Sequence, residues 1–159
     1  MDELLKILKN DALETPENIA AQLGLSPEEV RSKIAEYEAR GVIRGYQAVI
    51  DEDKLDSRRV TAVIEVKVTP QREGGFDLVA RRISKFPEVE SVHLVSGAFD
   101  LLLFVSGENL QEVASFVSEK LAPLESIRST ASHFLLKTYK HHGILMEPQD
   151  QYERLKVSP

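Results

Sequence analysis

The stretch Val92-His93-Leu94-Val95-Ser96-Gly97-Ala98-Phe99-Asp100-Leu101-Leu102-Leu103-Phe104-Val105 sets two apolar runs on either side of a short break. Gly97 has access to positive φ without steric cost, and the side chain of Asp100 bonds readily to nearby backbone. That pattern predicts two antiparallel strands joined by a tight connection. Residues 101–105 are apolar at every position, so both faces of their strand need cover. One helical layer covers one face. The other must meet a second sheet, another subunit or a ligand, which places the hairpin at the centre of a small α+β domain that assembles with something else.

Working outward, Val60, Ala62, Ile64, Val66 and Val68 alternate with Thr61, Glu65, Lys67 and Thr69, a half-buried strand ending at Pro70. Gly74 and Gly75 break the chain. Phe76, Val79, Ala80, Ile83 and Phe86 then share a helical face, closed by Pro87. Beyond the hairpin, Leu110, Val113, Ala114, Val117 and Leu121 mark another helix, stopped before Pro123, and residues 127–139 read as a last, long strand. Strand–helix–strand, twice over, is the ferredoxin-like split βαβ repeat: an antiparallel sheet with two helices on one face. The tail from Lys140 is polar, contains Pro148, and offers Leu145 and Met146 to a partner.

The amino-terminal part has a different rhythm. Leu4, Leu5, Ile7 and Leu8 recur at helical spacing. Thr15 followed by Pro16 predicts an N-cap and first helical residue, with Ile19, Ala20 and Leu23 as the buried stripe and Gly24 as a left-handed C-cap. Ser26-Pro27-Glu28-Glu29 is a second start signal and a capping box. Val30, Ile34 and Tyr37 form the stripe of the third helix, which ends before Gly41. Helix, short turn opening on glycine, helix fits a helix-turn-helix as well as an ordinary three-helix bundle. The β-rich segment 42–50 follows directly, as a wing or exit strand would, and the densely charged residues 51–59 read as a linker.

Composition bounds the rest. At 159 residues, 42% apolar and 29% charged, the chain is an ordinary globular protein of one domain or two small ones. No cysteine is present, which excludes disulfides, thiolate metal sites and cysteine nucleophiles. The start is acidic, with no signal-peptide pattern, and the apolar runs are too short for a membrane span, so a cytoplasmic location without membrane contact is expected. The net charge of −6 argues against broad attraction to nucleic acid and leaves room for a local basic face.

In this order and at this length, the chain resembles the leucine-responsive regulatory protein/AsnC family, the feast/famine transcriptional regulators of bacteria and archaea. The residues carrying the resemblance are 23–27, 38–46 and above all Val95-Ser96-Gly97-Ala98-Phe99-Asp100-Leu101, which matches the family's V-x-G-x-[FY]-D signature. Thr130 and Ser132 stand where members carry a T-x-T pair leading into the final strand. The resemblance implies an α+β protein: a winged helix-turn-helix over 1–45, an exit strand and linker over 46–59, a ferredoxin-like effector-binding and oligomerisation domain over 60–140, and a tail over 141–159. It implies double-stranded DNA as a partner, a small effector (most often an amino acid), and homodimers that associate into tetramers or octamers. By matching position, Ser96, Gly97, Ala98, Phe99, Asp100, Thr130 and Ser132 become the effector candidates. Ser26, Glu28, Glu29, Arg31, Ser32, Lys33, Arg40 and Arg44 become the DNA candidates. No cofactor and no catalytic residue is implied.

The third helix departs from the family pattern. Members carry several basic residues along it and a Ser or Thr near its start; here Glu28 and Glu29 fill the first turn. Residues 1–45 hold six basic and nine acidic side chains, so no charge asymmetry favours DNA at this end. That keeps open an effector-sensing oligomer that binds little DNA and acts through a partner protein. A further alternative is an enzyme like the sirohaem decarboxylases, which share the architecture. Their haem-handling segment is rich in His and aromatic residues, whereas the matching hairpin here has only His93 beside Phe99. His133, His141 and His142 are the remaining histidines, and the adjacent pair would point to opposite faces of a continuing strand.

Overall fold

The computed structural model describes residues 1–56, 59–69 and 75–146, so Pro70, Gly74 and Pro148 lie outside the described residues. The chain divides after Val49 into two units.

The first unit is three helices: α1 (Glu3–Asn10), α2 (Pro16–Leu23) and α3 (Pro27–Ala39). Each begins on a side chain that satisfies an orphan backbone donor. Asp2 accepts from Leu4 N–H, Thr15 from Asn18 N–H, and Ser26 from Glu29 N–H. Gly24 ends α2 in the left-handed region, φ 67°. Leu4, Leu8, Ile19, Ala20 and Val30 form the small core, with Ile34, Tyr37 and Ile43 packed against it. The expected exit strand does not form: segment 42–50 has no ladder. Val42, Tyr46 and Ile50 are 50%, 51% and 59% exposed. A β-rich sequence needs a neighbouring strand to pair with, and the described residues supply none here.

The second unit has the antiparallel α+β architecture. Strands β1 (Val60–Val68), β2 (Val89–Leu94), β3 (Leu101–Gly107) and β4 (Ile127–Phe134) lie in the order β2-β3-β1-β4. Helices α4 (Asp77–Ile83) and α5 (Leu110–Ser115) cover one face. Period-2 alternation sets that face. Ala62, Ile64 and Val66 of β1 oppose Val105, Leu103 and Leu101 of β3, and all six are buried against Val79, Ile83, Val113, Phe116 and Leu121. Phe86 meets Phe116 edge to face at 5.5 Å.

Two expectations about this unit need correction. The second helix is not uniform: after Ser115 it widens into a π turn, Phe116–Leu121, in which Ala122 N–H donates to the Val117 carbonyl at 2.8 Å. Val113 and, three residues on, Phe116 are buried, whereas Ala114 is exposed and Leu110 is 56% exposed. The last strand stops at Phe134 and does not run to Tyr139, because β1, its ladder partner, ends at Val60 and the final link is Leu135 N–H to the Thr61 carbonyl. Lys140–His141 (β5) and Ile144–Leu145 (β6) instead make a small separate hairpin.

Candidate functional site

The turn that joins β2 to β3 is pinned at the end of the sheet by Asp100. Its N–H donates to the Val66 carbonyl at 3.0 Å, and its Oδ2 accepts from Val68 N–H at 2.8 Å. Val95 N–H closes the turn on the Asp100 carbonyl at 2.9 Å. Asp100 therefore caps the last residue of β1, and among the described residues its Oδ1 has no protein partner. Gly97 does not take the positive φ that its position suggested. A Cβ built on it would meet nothing within 4 Å. Neither conformation nor crowding within the chain calls for glycine at this point, and its backbone is open to approach from outside. Among the described residues, the N–H groups of Ser96, Gly97, Ala98 and Phe99 donate to no acceptor. Ser96, Gly97 and Ala98 are exposed; Phe99 and Asp100 are half-buried.

Thr130 and Ser132 stand on β4 opposite Val66 and Ile64. Val66 is thus flanked by Leu101 on one side and Thr130 on the other. Two strand spacings, about 10 Å, separate Thr130 from the start of β3, and Ser132 lies about 7 Å further along. The turn, Asp100 and Thr130 share one end of the sheet; Ser132 is set back from it. A cleft of 740 Å³ lies at the opposite end, lined by Arg59, Glu88, Ser106, Glu108 and Glu112 among others. There Lys120 bonds the Glu88 carboxylate and holds it below its ordinary range, while the second Glu88 oxygen is buried without a partner. Scattered glutamates give no periodic signal, and sequence reasoning missed this cleft.

Among the described residues no helix covers the sheet face away from α4 and α5, where Phe104 lines an open cleft with Ile50, Leu135 and Tyr139. Leu102, Phe104 and Val63 sit half-buried on that face. His93 meets Phe104 edge to face at 6.2 Å, and His133 Nε2 lies 3.4 Å from Glu65 Oε1. The adjacent His141 and His142 do not point apart. The strand turns at His142, φ 47°, and the rings stand 4.1 Å from one another. Among the described residues no group of three His, Asp or Glu is placed to hold a metal ion.

On the first unit, α3 projects outward. Of its 13 residues only Val30 is fully buried. Ser26 and Glu29 are engaged in the capping box: Ser26 N–H and Oγ donate to Glu29 Oε2 at 2.8 and 2.9 Å, and Glu29 N–H donates to Ser26 Oγ at 3.2 Å. Those bonds hold the Glu29 carboxyl below its ordinary range. Arg31 bonds the Glu17 carboxylate of α2 and lies 3.5 Å from Glu28. Arg40 pairs with Glu36 at 2.9 Å. Ser32 and Lys33 are exposed, with no ion pair formed by Lys33 among the described residues. The Arg44 guanidinium packs where a Cβ on Gly41 would fall, 3.3 Å away. Arg31 is thus already paired with carboxylates, and its link to Glu17 is an arrangement that sequence spacing did not reveal.

The Lrp/AsnC ligand binding domain model matches residues 61–145. The chain is 47% identical to the uncharacterized HTH-type transcriptional regulator YugG of Bacillus subtilis, over 99% of this chain and 95% of that one. It is 28% identical to the proline dehydrogenase transcriptional activator of Rhizobium radiobacter, over 89% and 90%. Among solved structures, it superposes on the feast or famine regulatory protein of M. tuberculosis complexed with L-methionine, with a TM-score of 0.69 and 25% identity, over 87% of this chain and 90% of that chain.

Proposed function

We propose that this chain, which belongs to the Lrp/AsnC family of transcriptional regulators, is a sequence-specific DNA-binding regulator whose assembly or DNA affinity responds to a small effector, an amino acid. The first unit acts as the helix-turn-helix. The observation that carries this reading is α3 itself: capped at its start, anchored by Val30, Ile34 and Tyr37, and presenting its other side chains to solvent. Arg31, Lys33, Arg40 and Arg44 supply the phosphate and base contacts, while Ser26 and Glu29 hold the helix end.

The effector sits at the Gly97 turn. Unpaired backbone N–H groups at 96–99 suit a carboxylate, and the Asp100 Oδ1 or the Thr130 hydroxyl suits an ammonium group. The site is open because a second subunit completes it. The apolar sheet face away from α4 and α5, with Leu102 and Phe104, buries against its copy to give at least a dimer. The reading assigns the chain no catalytic role.

Genomic binding of the purified protein, with and without an amino-acid mixture, tests the proposal. Discrete bound sites whose occupancy changes with the mixture support it, and absence of enrichment refutes it. The pairing of Arg31 with Glu17 and Glu28 favours one second reading: an effector-sensing oligomer with little DNA affinity that works through a partner protein. A gel shift at low salt separates the two.

A further inference from the structure

The cations on the candidate DNA helix are largely neutralised, but those on another helix are not. Arg81 and Arg82 stand in the last turn of α4, and Lys85 lies in the turn just beyond its C-cap Ser84, its N–H donating to the Arg82 carbonyl at 3.3 Å. All three are exposed. Val79 and Ile83 anchor the opposite flank of the helix in the core. Lys85 follows Arg81 by four residues and Arg82 by three, so the three cations gather at the C-terminal end of α4.

Among the described residues, none of the three has a carboxylate partner. Asp77, one turn before Arg81, is not paired with it. Shortage of acid is not the reason, since the chain has 26 acidic and 20 basic side chains. Elsewhere this protein does pair exposed arginines with acids, as Glu36 does for Arg40 and Glu17 and Glu28 do for Arg31. The helix dipole favours a cation at a C-terminus, but three like charges side by side repel one another. Two guanidinium forks and an ammonium group without acids are chemically complementary to a row of phosphates.

We propose that these three cations at the C-terminal end of α4 contact the phosphate backbone of duplex DNA, adding affinity without sequence information. The inference rests on the DNA-binding reading but not on α3 as the contact. It is tested with the full-length protein and a duplex of random sequence, by measuring affinity from about 50 to 200 mM salt, where each engaged phosphate adds about 0.9 to the slope of log affinity on log salt.

Arg81→Gln/Arg82→Gln/Lys85→Gln should flatten that slope by about 2–3, so that the fall in affinity over this range shrinks by roughly 40-fold. Arg81→Lys/Arg82→Lys, which keeps the charge, should retain the slope. A triple-glutamine variant that is folded by circular dichroism and keeps the wild-type slope overturns the proposal. So does a lysine variant as flat as the glutamine one. Arg31→Ala serves as the control for α3: if it changes nothing while the α4 variant flattens the slope, the α3 reading fails and the α4 contact stands. A wild-type protein that binds no duplex at low salt overturns both.

Discussion

Replacing Asp100 separates its two roles. Asp100→Ala removes the acceptor that Val68 N–H reaches at 2.8 Å. It leaves a strand-end donor unpaired at the junction of β1 with the turn. A hydrogen bond to a charged group contributes about 1.5–3 kcal/mol, and because Asp100 is only half-buried the lower end, about 1.5 kcal/mol, is expected. Asp100→Asn keeps an oxygen in reach of the same N–H and loses only the charge, so it should cost about 1 kcal/mol or less. Urea denaturation reads both as a shift in midpoint at constant slope. The asparagine variant should nonetheless lose most of the amino-acid-dependent rise in melting temperature, because a neutral amide no longer attracts an ammonium group. Two results would refute the reasoning: an alanine variant that costs under about 0.5 kcal/mol, or an asparagine variant that binds the effector like the wild type.

Glu17→Gln should free Arg31 from its stronger partner and tighten DNA binding at low salt, and a gel-shift titration in which affinity is unchanged would show that Arg31 does not meet DNA. Ser26→Ala should lower stability by about 0.5–2 kcal/mol in a thermal melt through loss of the capping box. The folded-state carboxyls of Asp2 and Glu29 are held low, Asp2 chiefly by the Tyr37 hydroxyl and Glu29 by Ser26; their contribution is therefore present above the ordinary carboxylate range and lost as pH falls through the lowered values. The Tyr37 hydroxyl is raised by Asp2, so its contribution is lost at the alkaline end, as pH rises above the ordinary tyrosine range, and helix content followed across pH should fall at both extremes. If the proposed dimer forms through this sheet face, Phe104→Asp should give a folded monomer by light scattering where the wild type is dimeric; a variant that stays dimeric would place the interface elsewhere.

The second unit was legible because its signals are local and agree. Alternation along 60–68 and the doubly apolar run at 101–105 each fix a strand and the face it buries, and Asp100 had to bond backbone somewhere near its turn. What could not be read depends on neighbours. Segment 42–50 has strand-like residues but no strand to pair with among the described residues, and β4 ends where β1 ends, whatever Leu135 and Leu136 prefer. The π turn at Phe116 is a hydrogen-bond choice that period counting does not see. Gly97 was legible as a glycine position for the wrong reason: its conformation is ordinary and its surroundings are empty. The ion pair from Arg31 to Glu17 joins two helices, and no spacing rule within either one reveals it.

Fluorescence anisotropy of a duplex recovered from genomic binding, titrated with the wild-type protein at fixed salt in the presence of each amino acid in turn, bears most directly on effector-responsive DNA binding. At least one amino acid should shift the apparent affinity severalfold, and Asp100→Asn should abolish that shift while still binding the duplex. Binding that no amino acid alters would contradict an effector site at the Gly97 turn, and an altered affinity that survives Asp100→Asn intact would contradict Asp100 as the ammonium partner there.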